Sequence, residues 1–269
     1  MYIGIDIGGT KTLVASLSDQ GVIDQAIKFP TPKLYTDFLA ELTKTLAQLT
    51  VKDFRAGAVA APGKIDRAKD MVISCGNLGW ENIPLARDIE RLTHCPMRLE
   101  NDAKLGALSE AMLVQGRYHK VLYITISTGI GIGLVRDGVI DTAIGDGGGR
   151  TMLLSYRGKL TPWEDFASGS AIVRKYGKMA SEINDAQTWG EIVRTFTPGL
   201  IELTAVLDPE VIIIGGGAGH HIDKFHDLLV ADMKQHETPM LRIPPILAAA
   251  RPDEAVIYGC YDYARQKYA

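Results

Sequence analysis

Three glycine-rich turns, each following an apolar run of β character, are the groups in this chain best suited to chemistry: Gly8-Gly9-Thr10-Lys11, Thr128-Gly129-Ile130-Gly131-Ile132-Gly133 and Gly215-Gly216-Gly217. Glycine admits positive φ and lets backbone N–H groups come close to a ligand, so such turns can cradle phosphates. Three of them along one chain point to a nucleotide held between two halves. Two aspartates stand near strand ends. Ile3, Ile5 and Ile7 share one face of the first strand, which leaves Gly4 and Asp6 on the other, and a buried aspartate there needs a partner. Asp102, in Glu100-Asn101-Asp102-Ala103, sits where a strand gives way to a helix. Asn or Asp caps a helix N-terminus, and Leu105, Ala107, Leu108, Ala111 and Met112 then recur at helical spacing.

The elements that must position these groups read as alternating strands and helices. After the first strand, 12–18 predicts a second, Asp19-Gln20-Gly21 a tight turn and 22–29 a third, so the chain opens as an antiparallel meander. This is not the opening of a Rossmann fold. Phe38, Leu39, Leu42, Leu46 and Leu49 give 36–49 helical periodicity; 56–60 returns as a short buried strand, and 85–92 and 96–99 predict a further helix and strand. The later half repeats the opening, with a strand over 121–127, a glycine turn, a strand over 131–135 and the turn Arg136-Asp137-Gly138. The repetition suggests an ancient duplication. None of the glycine turns has the Walker spacing G-x-x-x-x-G-K-[ST], and no intact G-x-G-x-x-G is present, so the P-loop and dinucleotide readings fail on spacing.

With 269 residues, 46% hydrophobic and 23% charged, the chain can bury a substantial core in one or two domains. A net charge of −3 without a concentrated basic run gives no electrostatic reason to expect nucleic acid or an anionic membrane as partner. Cys75, Cys95 and Cys260 are scattered and odd in number, which argues against a disulfide framework and for a reducing compartment. The N-terminus enters a strand without a basic-then-apolar leader, and no apolar run approaches the ~20 residues of a spanning helix, so a cytoplasmic location is expected.

An ordered series of motifs covers nearly the whole chain: Gly4-Ile5-Asp6-Ile7-Gly8-Gly9-Thr10-Lys11, Pro62-Gly63, Asn77-Leu78-Gly79-Trp80, Glu100-Asn101-Asp102-Ala103, Ser127-Thr128-Gly129-Ile130-Gly131-Ile132-Gly133, Ala167-Ser168-Gly169 and Asp208-Pro209-Glu210-Val211-Ile212-Ile213-Ile214-Gly215-Gly216. The series resembles the successive signatures of ROK-family sugar kinases. The resemblance implies an α/β, actin-like ATPase (ribonuclease H-like) two-domain fold with duplicated mixed β-sheet cores. A smaller N-terminal domain over 1–103 plus 253–269 and a larger one over 104–252 are expected, with ATP and a hexose or amino sugar meeting in the cleft between them. A homodimer is also implied. Many family members carry an N-terminal DNA-binding helix-turn-helix, for which no room is expected here.

Transfer of a phosphoryl group to a sugar hydroxyl needs shielding of phosphate charge, in-line placement of the hydroxyl and a base for its proton. By capping frequency alone Asp102 is a helix cap; the resemblance makes it that base, with Asn101 orienting a sugar hydroxyl. Asp6 resembles the residue that holds magnesium, through water, and Gly8, Gly9, Thr10 and Lys11 the first phosphate loop. Thr128, Gly129, Gly131 and Gly133 resemble the second phosphate loop, and Gly215, Gly216 and Gly217 the adenosine-side turn. For Lys11 the alternative is a side chain that is simply solvated. Glu164, in Trp163-Glu164-Asp165-Phe166, matches the glutamate that binds the sugar near its anomeric hydroxyl; the alternative is a surface cap on the helix that follows. Gly63 and Asn77 are expected on the sugar side, and Trp80 reads as packing.

The chain departs from the family at Ile144-Gly145-Asp146-Gly147-Gly148-Gly149-Arg150-Thr151. Gly147 stands where the family has a sugar-binding glutamate, and Arg150 where it has a histidine that often also binds zinc. Asp146 could supply the missing carboxylate, and Arg150 could donate to hydroxyls or to an anionic substituent; equally, Arg150 could pair with Asp146 and touch no ligand. The cysteine-rich zinc segment is absent, and His221 and His226 lack a Cys-x-x-Cys partner, so no structural zinc is expected. A sugar-binding regulator that has lost activity, a polyphosphate donor and a non-hexose acceptor are the alternatives to an ATP-dependent hexose or amino-sugar kinase.

Overall fold

β1 (Tyr2–Ile7), β2 (Lys11–Leu17) and β3 (Ile23–Pro30) form the antiparallel meander that the sequence predicts, and α1 (Tyr35–Gln48) follows it. β4 (Ala56–Ala61) then returns parallel to β1. β5 (Lys64–Asp66), β6 (Met71–Cys75) and β7 (Trp80–Ile83) make a small antiparallel sheet that carries no clear alternation in sequence. After α2 (Leu85–Thr93), β8 (Met97–Asn101) lies parallel to β4 and runs directly into α3 (Asp102–Leu113). The resulting sheet has the order β3-β2-β1-β4-β8.

β9 (Lys120–Ile126), β10 (Ile130–Arg136) and β11 (Val139–Ile140) repeat the meander. They are followed by α4 (Gly148–Thr151), the hairpin β12 (Leu153–Tyr156) and β13 (Lys159–Pro162), α5 (Trp163–Ala167), α6 (Gly169–Tyr176) and the long α7 (Ala186–Leu207). β14 (Val211–Gly215) pairs parallel with β9, α8 (Gly216–Gly219) and α9 (His226–Lys234) follow, and β15 (Ile246–Ala248) pairs parallel with β14. The second sheet therefore has the order β11-β10-β9-β14-β15, the same connectivity and strand directions as the first. α10 (Ala255–Tyr268) closes the chain. This computed structural model describes residues 1–251 and 253–268. It divides into one unit of Met1–Ser109 with the stretch from Glu254, and a second of Glu110–Asp253.

Each unit has its own apolar core. In the first, Ile3, Ile5 and Ile7 pack with Phe38, Leu42, Leu85 and Ile89 on one face of the sheet. α10 packs on β1 and β4, and a Cβ on Gly4 would lie 3.1 Å from the Cβ of Cys260, so the Gly4–Asp6 face is the one that α10 covers. In the second, Trp163, Trp189, Phe196 and Phe225 are buried against Ile124, Ile126 and Ile214. Burial of each such large side chain contributes about 1.5–3 kcal/mol before the entropy of ordering is subtracted. Among the described residues no helix is long and apolar enough to cross a membrane, and Cys75, Cys95 and Cys260 are free and buried.

β8 is an edge strand, and an edge leaves a row of unpaired N–H groups. Three carboxylates accept them. Met97 N–H donates to Glu90 at 3.5 Å, Leu99 N–H to Asp70 at 3.2 Å and Asn101 N–H to Glu100 at 2.6 Å. The strand that delivers Asn101 and Asp102 is thus fixed on both sides, by the β4 ladder and by side chains.

Candidate active site

β1, β4 and β8 are neighbours running in the same direction, so their C-terminal ends lie side by side. The register aligns Asp6, Ala60 and Glu100 in one row and Ala61 with Asn101 in the next. Such ends are where open α/β sheets bind ligands. The Gly8–Lys11 turn closes on a Gly8 N–H to Lys11 carbonyl bond of 3.0 Å. Thr31 braces it from outside, its hydroxyl donating to the Gly8 carbonyl at 2.8 Å and its N–H to the Thr10 carbonyl at 3.0 Å. Thr10 and Lys11 remain exposed at the tip. Gly63, just past β4, has φ +98°, and a Cβ there would lie 2.1 Å from the Ser74 carbonyl oxygen, so only glycine fits. Its own carbonyl accepts the Asn101 side-chain amide at 3.3 Å.

At the β8–α3 junction the capping residue is Asn101, which corrects the reading of Asp102 as the cap. Asn101 Oδ1 accepts the Lys104 N–H at 3.3 Å, the bond expected of an N-cap, and Asn101 is 4% exposed. Asp102 occupies the first helical position, half-buried, with Oδ1 accepting the Ala103 N–H at 2.8 Å. Its charge reaches Asp6. Burial first, and the Asp102 carboxylate second, push the Asp6 carboxyl up to about 7. Burial pushes the Cys75 thiol up to about 11, and Asp102 adds to that shift.

The Asp6 shift has a definite consequence for stability in the metal-free protein. With its folded pKa near 7 and its ordinary value at 3.8, the folded state binds the extra proton between those limits. Unfolding free energy therefore falls as pH rises through that window and levels off above it. Denaturant melts in chelator are expected to show the fall in the wild type and not in Asp6→Asn; parallel pH curves for the two proteins overturn the assignment.

In the second unit the turn between β9 and β10 holds the corresponding place. Ser127 N–H donates to the Gly129 carbonyl at 2.9 Å, and the Ser127 carbonyl accepts Gly169 N–H at 2.7 Å, which joins the Ala167-Ser168-Gly169 motif to the turn. Thr128 is exposed. Glu164 Oε2 accepts the Ile130 N–H at 3.3 Å, and a Cβ on Gly129 would lie 2.7 Å from the same oxygen, so glycine at 129 leaves room for the carboxylate. Trp163, fully buried with its indole N–H on the Thr195 carbonyl at 3.1 Å, anchors α5 and so aims Glu164. The helix that follows is capped by Ser168, whose hydroxyl accepts the Ala171 N–H at 3.2 Å; Glu164 is not its cap. Arg150 in α4 has Nε 3.9 Å from Glu164 Oε1, an ion pair that neither sequence alternative, donation to a ligand or pairing with Asp146, includes. Asp146 is half-buried in the turn before α4, and a Cβ on Gly147 would meet the Thr151 side chain at 2.2 Å. Gly215 ends β14, and Gly216 and Gly217 open α8, with Gly217 exposed. That turn occupies in the second sheet the place of Pro62-Gly63 in the first.

Two basic residues join the first unit's site without any signal in the sequence pattern. Arg67, in the β5–β6 turn, holds the fully buried Glu100 with Nε at 2.8 Å and Nη2 at 2.5 Å. Lys33, before α1, reaches the Gly9 and Asn77 carbonyls. Arg67 lies in a turn of mixed charge and Lys33 follows Pro30-Thr31-Pro32, and neither stretch carries a periodicity that marks it. Trp80 is packing, 3% exposed and edge-on to Tyr35. Among the described residues no group of three or more His, Cys, Asp or Glu side chains is disposed to hold a metal ion, and His226 is engaged by Asp227 at 2.9 Å and the Ile246 carbonyl at 3.1 Å.

A family model described as ROK family matches residues 2–267. The glucokinase of Streptomyces coelicolor is 26% identical over 311 residues, covering 99% of this chain and 98% of its own. The N-acetylgalactosamine kinase of Shewanella sp. strain ANA-3 is 29% identical over 252 residues, covering 81% of this chain and 82% of its own. Among solved structures, a ROK-family glucokinase from Streptomyces griseus in complex with glucose and AMPPNP aligns with a TM-score of 0.84 at 24% identity, over 98% of this chain and 99% of that one. The chain belongs to the ROK family, and its two five-stranded mixed sheets of like connectivity have the actin-like ATPase fold of that family's sugar kinases.

Proposed function

We propose that this chain transfers the γ-phosphoryl group of ATP to a hydroxyl of a hexose or amino sugar, with Asp102 as general base. The observation that carries this reading is the division of labour at the β8–α3 junction. Asn101 takes the capping bond, and the half-buried Asp102 carboxylate stands at the positive end of α3 beside Asp6. The helix end favours the anion, which suits Asp102 to accept the proton that leaves the sugar hydroxyl as the new O–P bond forms.

In this reading the N–H groups of Gly8, Gly9, Thr10 and Lys11 and of Thr128, Gly129 and Gly131 hold the phosphates, while Gly215, Gly216 and Gly217 border the adenosine. Asn101, Gly63, Asn77, Glu164 and Asp146 position the ring, and Arg150, tethered by Glu164, donates to its substituents. Magnesium commonly binds one or two carboxylates and otherwise keeps waters and phosphate oxygens. Asp6 fits such a position, because a cation nearby relieves the desolvation and repulsion that hold its proton. Magnesium there, held through water, would offset charge on the transferring phosphoryl group.

Sugar-phosphate formation measured across a panel of hexoses, amino sugars, anionic sugars and non-hexose alcohols, with ATP or polyphosphate as donor and ADP release followed in the ATP arm, tests the reading. Sugar-dependent ADP with at least one hexose or amino sugar is expected. Sugar binding without turnover with either donor overturns it in favour of a sensor, and turnover only with polyphosphate or only with a non-hexose overturns the donor or the acceptor.

A further inference from the structure

The turn that carries Gly9 and the turn that carries Asn77 come from distant parts of the sequence, and one ammonium group joins them. Lys33 Nζ donates to the Gly9 carbonyl at 3.3 Å and to the Asn77 carbonyl at 2.8 Å. The two turns already touch: a Cβ on Gly9 would lie 3.4 Å from the Asn77 Cβ. The main chain of Lys33 is fixed from the other side, because its carbonyl accepts the Trp80 indole N–H at 2.8 Å and Trp80 packs against Tyr35 and Phe38. A flexible, exposed lysine stem therefore starts from a rigid point and ends on two backbone carbonyls.

We propose that Lys33 is a positioning residue that holds the Asn77 turn against the Gly9 turn and so sets the affinity for the acceptor; the inference rests on the kinase reading above. The two turns do not depend on Lys33 equally. The Gly9 turn has its internal Gly8–Lys11 bond and both bonds from Thr31. The Asn77 turn is tied by the Leu78 and Gly79 N–H groups, and both donate to the same Cys75 carbonyl inside the turn. Buried Leu78 and Trp80 secure its flanks, while Asn77 itself is exposed. Loss of the ammonium frees the acceptor side more than the phosphate side. Charge-assisted bonds to carbonyls are the stronger class, and lysine supplies three donors from one point, which suits two carbonyls facing each other across a gap.

Lys33→Met keeps the aliphatic stem and removes the donors. Acceptor KM is expected to rise about tenfold, with KM for ATP and kcat each moving less than about threefold, as loss of a charge-assisted bond on the acceptor side alone predicts. The melting temperature should stay within about 2 °C, as for an exposed side chain. A second readout needs no turnover: amide exchange over 76–79 should quicken in Lys33→Met while that of β1 does not. Unchanged acceptor KM and unchanged exchange overturn the inference, and so does a fall of melting temperature with both KM values rising together. A wild type without turnover on any sugar overturns the kinase reading instead, and the exchange measurement then still decides whether Lys33 holds the turn.

Discussion

Asp102→Asn is expected to lower turnover by about 10²–10⁴-fold, the range that a positioned general base supplies, while the sugar dissociation constant changes by less than about threefold. The substitution keeps shape and an oxygen that can still accept the Ala103 N–H, which Asp102 accepts at 2.8 Å. Helix α3 keeps its cap, since that bond belongs to Asn101. What disappears is a negative charge that can take a proton, an interaction needed only as the hydroxyl attacks. The same change removes one of the two causes that raise the Asp6 carboxyl, so Asp6 becomes easier to ionise and the loss of turnover cannot be ascribed to a weakened metal position. Steady-state ADP release gives kcat and calorimetry gives the sugar affinity. Turnover within tenfold of wild type removes Asp102 from the role of base; lost sugar affinity with retained turnover makes it a binding residue.

Much of the fold was legible because both sheets announce themselves in strands of uninterrupted or alternating Ile and Val, and because the glycine turns punctuate them. The meander of β1–β3, its repetition in β9–β11 and the buried runs of β4 and β14 follow from that pattern. The small sheet of β5–β7 and the β12–β13 hairpin do not: their residues are mixed and half-exposed, and β6 opposes Met71, Ser74 and Cys75 to partners with no shared alternation. At the site, sequence brought forward the residues whose types can do chemistry. It could not show which of Asn101 and Asp102 caps α3, because both are good caps and the choice depends on where β8 ends. Nor could it show that Glu164 pairs with Arg150 or that Arg67 and Lys33 reach back to glycine turns and strand ends, because long flexible side chains make contacts that have no periodicity. The three carboxylates along β8 are invisible for the same reason: Glu90, Asp70 and Glu100 come from a helix, a turn and the strand itself.

Arg67→Met is expected to lower unfolding free energy by about 3 kcal/mol, toward the lower end of what breaking a buried ion pair costs. Glu100 has no exposed surface, and two of its strong partners are the Arg67 Nε and Nη2 groups at 2.8 and 2.5 Å. Without the guanidinium the carboxylate keeps the Asn101 N–H at 2.6 Å but loses a bidentate donor at a position with no exposed surface. The side chain of Arg67 is 26% exposed, so solvent screens part of the pair, which is why the lower end of the range is chosen. The double variant Arg67→Met with Glu100→Gln removes the orphaned charge and should recover at least about a third of the loss, since removing both charges of a buried pair is far milder than removing one. Urea melts followed by circular dichroism read both values, with midpoint shifts at constant slope. A single-variant loss below about 1 kcal/mol overturns the pair as a buried stabilising contact. The site feels the same change. Glu100 holds the peptide of Asn101, so well below its melting temperature Arg67→Met should still bind nucleotide yet turn over more slowly, because the junction that carries Asp102 has lost one of its two lateral supports.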